Sequence, residues 1–187
     1  MRCCSGKESN LNMKIVSGFA LVTVVWALLT GDVKAADSPS AGKFGPHWKA
    51  LLGEWKGETE SGAGSGMCSF QFALSEHVIV RTNHAELPAS GGGAVVHDDL
   101  MVVYPGATPE KARAIYFDNE GHTIEYAAEW SANGETLTFL SKSGPGPQFR
   151  LIYKKAGADG WTVNFEMAPP GQAGGFKTYT SGKLRRG

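Results

Sequence analysis

From Gly53 to Arg185 the chain is cut at short intervals by turn-forming residues, and between the cuts apolar and polar side chains alternate with a period of two. Successive side chains on a strand point to opposite sides, so this alternation fits strands with one face in a core and one in water. The pattern is most regular in the second half. Ile124, Tyr126, Ala128 and Trp130 alternate with Thr123, Glu125, Ala127 and Glu129, and Asn133-Gly134 then turns the chain into Glu135–Lys142. Asn and Gly both tolerate positive φ, which a tight hairpin turn requires. Gly144-Pro145-Gly146-Pro147 precedes Phe149, Leu151 and Tyr153, and Ala158-Asp159-Gly160 precedes Trp161, Val163, Phe165 and Met167. Earlier come Gly53–Glu60 around Trp55, then Met67–Ser75 with Cys68, Phe70, Phe72 and Leu74 on one face. His77–Leu87 follows with Val78, Val80, Thr82 and His84 on one face, then Ala94–Tyr104 and Ala112–Asp118. A final strand, Gly175–Arg185, follows a Pro-Pro-Gly loop. Each strand is succeeded by its antiparallel neighbour. An open meander of this length would leave two exposed edges, so the pattern predicts an all-β fold: an up-and-down barrel of about ten strands. Pro46 opens a short helical turn carrying Trp48, Leu51 and Leu52, suited to plug one end.

The 187 residues correspond to one domain, here 46–187, and 42% hydrophobic with 19% charged residues is the balance of a chain that buries an ordinary core. Lys plus Arg and Asp plus Glu are both 18, which gives no electrostatic footing for nucleic acid. The amino terminus is a targeting segment. Met13-Lys14, the apolar run Ile15–Leu29 and the small-residue site Val33-Lys34-Ala35 have the layout of a secretory signal peptide, with cleavage expected after Ala35. The apolar run is shorter than the roughly 20 residues that span hydrocarbon, and no cysteine follows it for lipid attachment, so no stable membrane anchor is expected after cleavage. Residues 1–12 match neither a signal nor a fold, which makes Met13 an alternative start, and residues 36–45 form a Ser/Pro/Ala/Gly-rich linker. Cleavage removes four of the 18 basic and two of the 18 acidic side chains, leaving 14 against 16. It also leaves Cys68 without a disulfide partner, and its alternation with Phe70 and Phe72 marks it as a buried thiol.

Four segments together resemble a known family: Leu52-Gly53-Glu54-Trp55-Lys56-Gly57, the turn from Tyr116-Phe117-Asp118 to Gly121, Leu137-Thr138-Phe139, and Phe149-Arg150 leading to Phe165-Glu166. The chain from about Trp48 to Arg186 is similar to a bacterial family of secreted, lipocalin-like proteins of unknown function. The resemblance implies a calycin-type barrel akin to nitrobindin and the fatty-acid-binding proteins, whose first strand also carries Gly-x-Trp. It further implies that Trp55 closes one end of the cavity beneath a basic side chain of the last strand, either Lys183 or Arg185. Nitrobindin-like proteins hold haem through a histidine near the last strands. Residues 123–187 contain no histidine, so this part of the resemblance does not carry over and no cofactor is expected.

Specific catalytic signatures are lacking. No Gly-x-Ser-x-Gly elbow is present, and neither Gly62–Gly66 nor Gly91-Gly92-Gly93 leads into the Lys-Ser/Thr and helix of a phosphate loop. His77, His84, His97 and His122 are the histidines to weigh. His84 and His97 with Asp99 are ligands of the right type for a metal, but polar pairs across antiparallel strands are common without one. Glu125 and Glu129 share a face that reads as solvated. What remains is the interior. Phe70, Phe72, His84 and Tyr126 on the earlier strands, with Trp130, Phe139, Tyr153, Trp161 and Phe165 on the later ones, are the candidate cavity lining. The reading is a secreted or periplasmic, non-enzymatic barrel that binds a small apolar or amphipathic molecule. The alternatives are a barrel enzyme, with His84, His97 or Glu166 among the inward aromatics, and an interaction module with a filled core.

Overall fold

A computed structural model describes residues 42–60, 62–89 and 91–187. The expected signal segment 1–35 and the linker up to residue 41 lie outside the described residues. The element order is one short helix, α1 (Pro46–Lys49), then β1 (Gly53–Thr59), β2 (Ser65–Ala73), β3 (Val78–Pro88), β4 (Ala94–Pro105) and β5 (Lys111–Asp118). It continues with β6 (Thr123–Trp130), β7 (Thr136–Ser141), β8 (Gln148–Lys155), β9 (Gly160–Ala168) and β10 (Lys177–Arg186). Every strand pairs antiparallel with its successor, and β10 pairs antiparallel with β1, so the sheet is a closed ten-strand up-and-down barrel. Closure runs through Trp55 opposite Arg186 and Gly57 opposite Leu184, and it leaves neither terminal strand with an unpaired edge.

The inward set follows from the pleat. Trp55 on β1, Cys68 and Phe70 on β2, Met101 and Val103 on β4, and Tyr126 and Trp130 on β6 are buried; the residues alternating with them turn outward, polar at Lys56, Gln71 and Glu129 but apolar at Leu100. Glu125 and Glu129 do face solvent, where they pair with Lys142 and Lys111. The phase of β3 differs from the sequence reading. Ile79 and Arg81 are buried, whereas Thr82 and His84 are on the outer wall. Apolar residues occur on both sides of β3, so alternation alone did not fix which parity faced inward; pairing with β2 and β4 did. Leu74 also leaves the expected inward row: it lies in the β2–β3 turn, 75% exposed, with positive φ at Leu74, Ser75 and Glu76.

One half of the barrel is solid. α1 lies across that end, with Trp48 and Leu51 buried beneath it. Trp48 packs edge-on against Trp130 at 5.8 Å, Trp130 contacts Trp161 at 5.9 Å, and Trp161 contacts Trp55 at 6.4 Å. The four tryptophans thus form one contiguous aromatic layer. Trp48 donates its indole N–H to the Pro109 carbonyl at 3.0 Å, and Trp55 donates to the Leu51 carbonyl at 2.7 Å, which ties the helical segment to the barrel. The basic side chain over Trp55 is Arg186, 4.3 Å from the ring centroid, rather than Lys183 or Arg185. Arg186 shares its parity with the inward Leu184, and Arg185 points the other way, so a one-residue difference in register decides which cation covers the ring.

Candidate functional site

The other half of the barrel is hollow, and small residues are the reason. At the seam of β10, β1 and β2 the inward positions are Gly182, Gly57 and Gly66, with Gly57 directly opposite Gly66. Where the solid half places Trp55, Cys68 and Leu184 along these strands, the next inward position on each is a glycine. A chamber of about 570 Å³ results, within the range of small-molecule sites.

Its two walls differ chemically. On the β8–β9 side it is apolar: Phe149, Leu151, Val163, Phe165 and Met167 face in, with Phe149 and Phe165 stacked at 5.8 Å and nearly parallel. At the rim Tyr179, 74% exposed, stands edge-on to Phe165 beside an irregularity in the β10 pairing. On the β3–β5 side the wall is polar. Arg81 forms a buried ion pair with Asp99, whose other carboxylate oxygen accepts a hydrogen bond from the Asn83 amide at 3.0 Å. His97 lies with Nε2 3.0 Å from the Tyr116 hydroxyl and 3.6 Å from Asp99, and with Nδ1 3.1 Å from Glu120. The Tyr116 hydroxyl donates to Asp118 at 3.2 Å, and Asp118 also accepts the His122 backbone N–H at 2.8 Å.

The electrostatics follow from these contacts. Asp99 first, then Glu120, hold the His97 imidazolium against the opposing effect of burial, and its pKa is pushed up to about 9. Burial pushes the Asp118 carboxyl up, but hydrogen bonds from His122 and the Glu120 backbone outweigh it and leave the pKa below the ordinary value. Burial opposes the Arg81 charge, and the neighbouring Asp99 carboxylate more than restores it. Burial also raises the phenols of Tyr116, Tyr126 and Tyr153, so all three stay protonated, and it raises the Cys68 thiol.

Of the residues expected to line a cavity, Tyr126, Tyr153 and Phe165 do so. Phe70, Trp130, Phe139 and Trp161 are packed into the solid half, and Phe72 closes against Phe44 at 5.8 Å. His84 is outside the barrel, hydrogen-bonded through Nδ1 to Asp98 at 2.7 Å. It borders a shallow groove on the outer wall, of about 680 Å³, that includes Met67, Leu100 and Phe117. That groove is the larger space, but it lies along the outside of one sheet face, whereas the chamber is walled on all sides by strands. Glu166 is also on the outer wall, paired with Arg150. His84 and His97 lie on opposite faces of the sheet, so they cannot share a metal with Asp99, and no group of three ligating side chains is found among the described residues. Sequence reasoning passed over Arg81, Asn83, Tyr116 and Asp118. Each has the parity of a buried neighbour, Ile79 for the first two and Ala114 for the others, and that shared parity was the available signal.

No protein-family model matches the chain, and no curated protein matches it. The closed ten-strand antiparallel barrel is consistent with a lipocalin-like fold.

Proposed function

We propose that the protein binds one small amphipathic molecule inside the open half of the barrel. The observation that carries this reading is the chamber's division into a stacked aromatic and aliphatic wall and a hydrogen-bonded ionic wall, with glycines keeping the space between them free. A filled-core interaction module would have larger side chains from the surrounding strands packed across this space. Of the three residues named for the enzymatic alternative, His97 is the one on the chamber wall, with a displaced pKa. With a pKa of about 9 it is protonated at neutral pH and both its nitrogens are engaged, so it is not available to accept a proton. The geometry supports binding over catalysis.

The test is an inward block. Ala85 lines the chamber on β3, and Ala85→Trp fills it; Thr82→Trp places the same ring in the outer groove. Uptake of the uncharged fluorophore N-phenylnaphthylamine is expected to disappear in Ala85→Trp and persist in Thr82→Trp. Uptake lost only in Thr82→Trp would move the site to the outer groove. We further propose that the protein acts outside the cytoplasm, supported by the signal-like segment at residues 13–35. Amino-terminal sequencing of exported material should begin at or near Ala36, and full-length protein in the cytoplasm would refute it.

A further inference from the structure

The floor of the chamber holds hydrogen-bond donors that have no acceptor. Arg81 Nε and the Tyr153 hydroxyl are both fully buried and without a partner among the described residues. Both residues border the chamber, as does Tyr126. A guanidinium N–H can only donate, and a buried polar group left unpaired costs about 1–3 kcal/mol. The missing group is therefore an acceptor. Its charge is set by the polar wall of β3–β5, where Arg81 has Asp99 and His97 has Asp99 and Glu120; Lys183, also at the lining, is exposed on the outward row of β10. Asp118 adds a further negative charge beside Tyr116. An incoming carboxylate would enter a space already matched in charge and remain buried without a counter-ion, which is strongly unfavourable. A carbonyl oxygen supplies the acceptor with no added charge.

Building on the chamber reading above, we infer that the ligand's polar end is an uncharged carbonyl, such as a ketone, ester or amide, received by Arg81, Tyr126 and Tyr153, with its apolar part against Phe149 and Phe165. The acid of the same size is excluded by charge rather than by shape.

Three ten-carbon probes of nearly equal size test this by calorimetric titration at neutral pH: butylbenzene, the ketone butyrophenone and the acid phenylbutyrate. Butyrophenone is expected to bind about tenfold or more tighter than either of the others. Tyr153→Phe and Tyr126→Phe should each weaken butyrophenone about three- to tenfold and leave butylbenzene unchanged. Tyr153→Phe should also leave the ligand-free protein as stable or more stable, because the hydroxyl it removes is unpaired; a purely structural hydroxyl would give a loss. Equal affinity for the ketone and the hydrocarbon would mean that water serves the donors, and tightest binding of phenylbutyrate would mean that the site takes anions. Either result overturns the carbonyl inference and keeps the chamber. Failure of all three probes to bind overturns the chamber reading as well.

Discussion

Trp55 shows how much one side chain contributes at the closed end. Its ring is 1% exposed, packs on Trp161, donates to the Leu51 carbonyl and lies under Arg186. Replacing a packed tryptophan with alanine costs about 3–5 kcal/mol through lost transfer energy and the cavity left behind, and loss of the cation over the ring adds about 0.5–1. Against a total stability of about 5–15 kcal/mol, Trp55→Ala should lower the denaturation midpoint by a large fraction in urea titration. The chamber, whose lining does not include Trp55, should keep its probe affinity under conditions where the variant is folded. His97 carries a different kind of contribution. Its folded pKa of about 9 lies above the ordinary 6.5, so its stabilisation is fully present below pH 6.5 and is lost as pH rises through 9. The side chain is one-quarter exposed, and solvent screening brings the effect to about 1–2 kcal/mol. Thermal melts should therefore fall between these two pH values in the wild type, and the fall should be much smaller in His97→Gln. A wild-type stability flat across that window would show that Asp99 and Glu120 do not hold the charge.

At the level of elements, the β2–β3 hairpin joins chamber and wall through Gly66. A Cβ there would collide with the His84 carbonyl oxygen and come within 3.0 Å of the Ala85 Cα, both backbone atoms of the neighbouring strand. Gly66→Ala must separate the two strands, a strain of about 1–3 kcal/mol that exceeds the 0.4–1 gained by restricting the unfolded chain. Gly91, in the β3–β4 turn, has nothing within 4 Å of the same position and no positive φ, so Gly91→Ala should be neutral or slightly stabilising. Equal midpoints for the two variants in urea would show that close strand approach at Gly66 is not required. Between the strands, the turns do what their residues dictate. Gly134 adopts φ 67° in the Asn133-Gly134 turn, and its Ser131–Asn133 hydroxyl–carbonyl contact of 2.7 Å fixes the hairpin that leads into β7.

At the scale of the molecule, closure joins the two ends of the domain. Arg186 donates to the Leu52 carbonyl across 134 residues, and β10 covers the edge that β1 would otherwise expose. The number of strands, their succession and the turns between them were legible in the sequence, because alternation and turn chemistry are local and each hairpin pairs neighbours. The inward parity of β6, β8 and β9 was legible for the same reason: Tyr126, Tyr153 and Phe165 stand in rows whose other face is polar. What was not legible depended on contacts between distant residues. β3 carries apolar side chains on both faces, so His84 and Arg81 exchanged places only once β2 and β4 were beside it. Which of two adjacent arginines covers Trp55 was set by the register of β10 on β1. The division of the interior into a tryptophan-filled half and a chamber was likewise decided in three dimensions, because Gly57, Gly66 and Gly182 are scattered along the chain and leave a cavity only where the closed barrel brings their bare positions together.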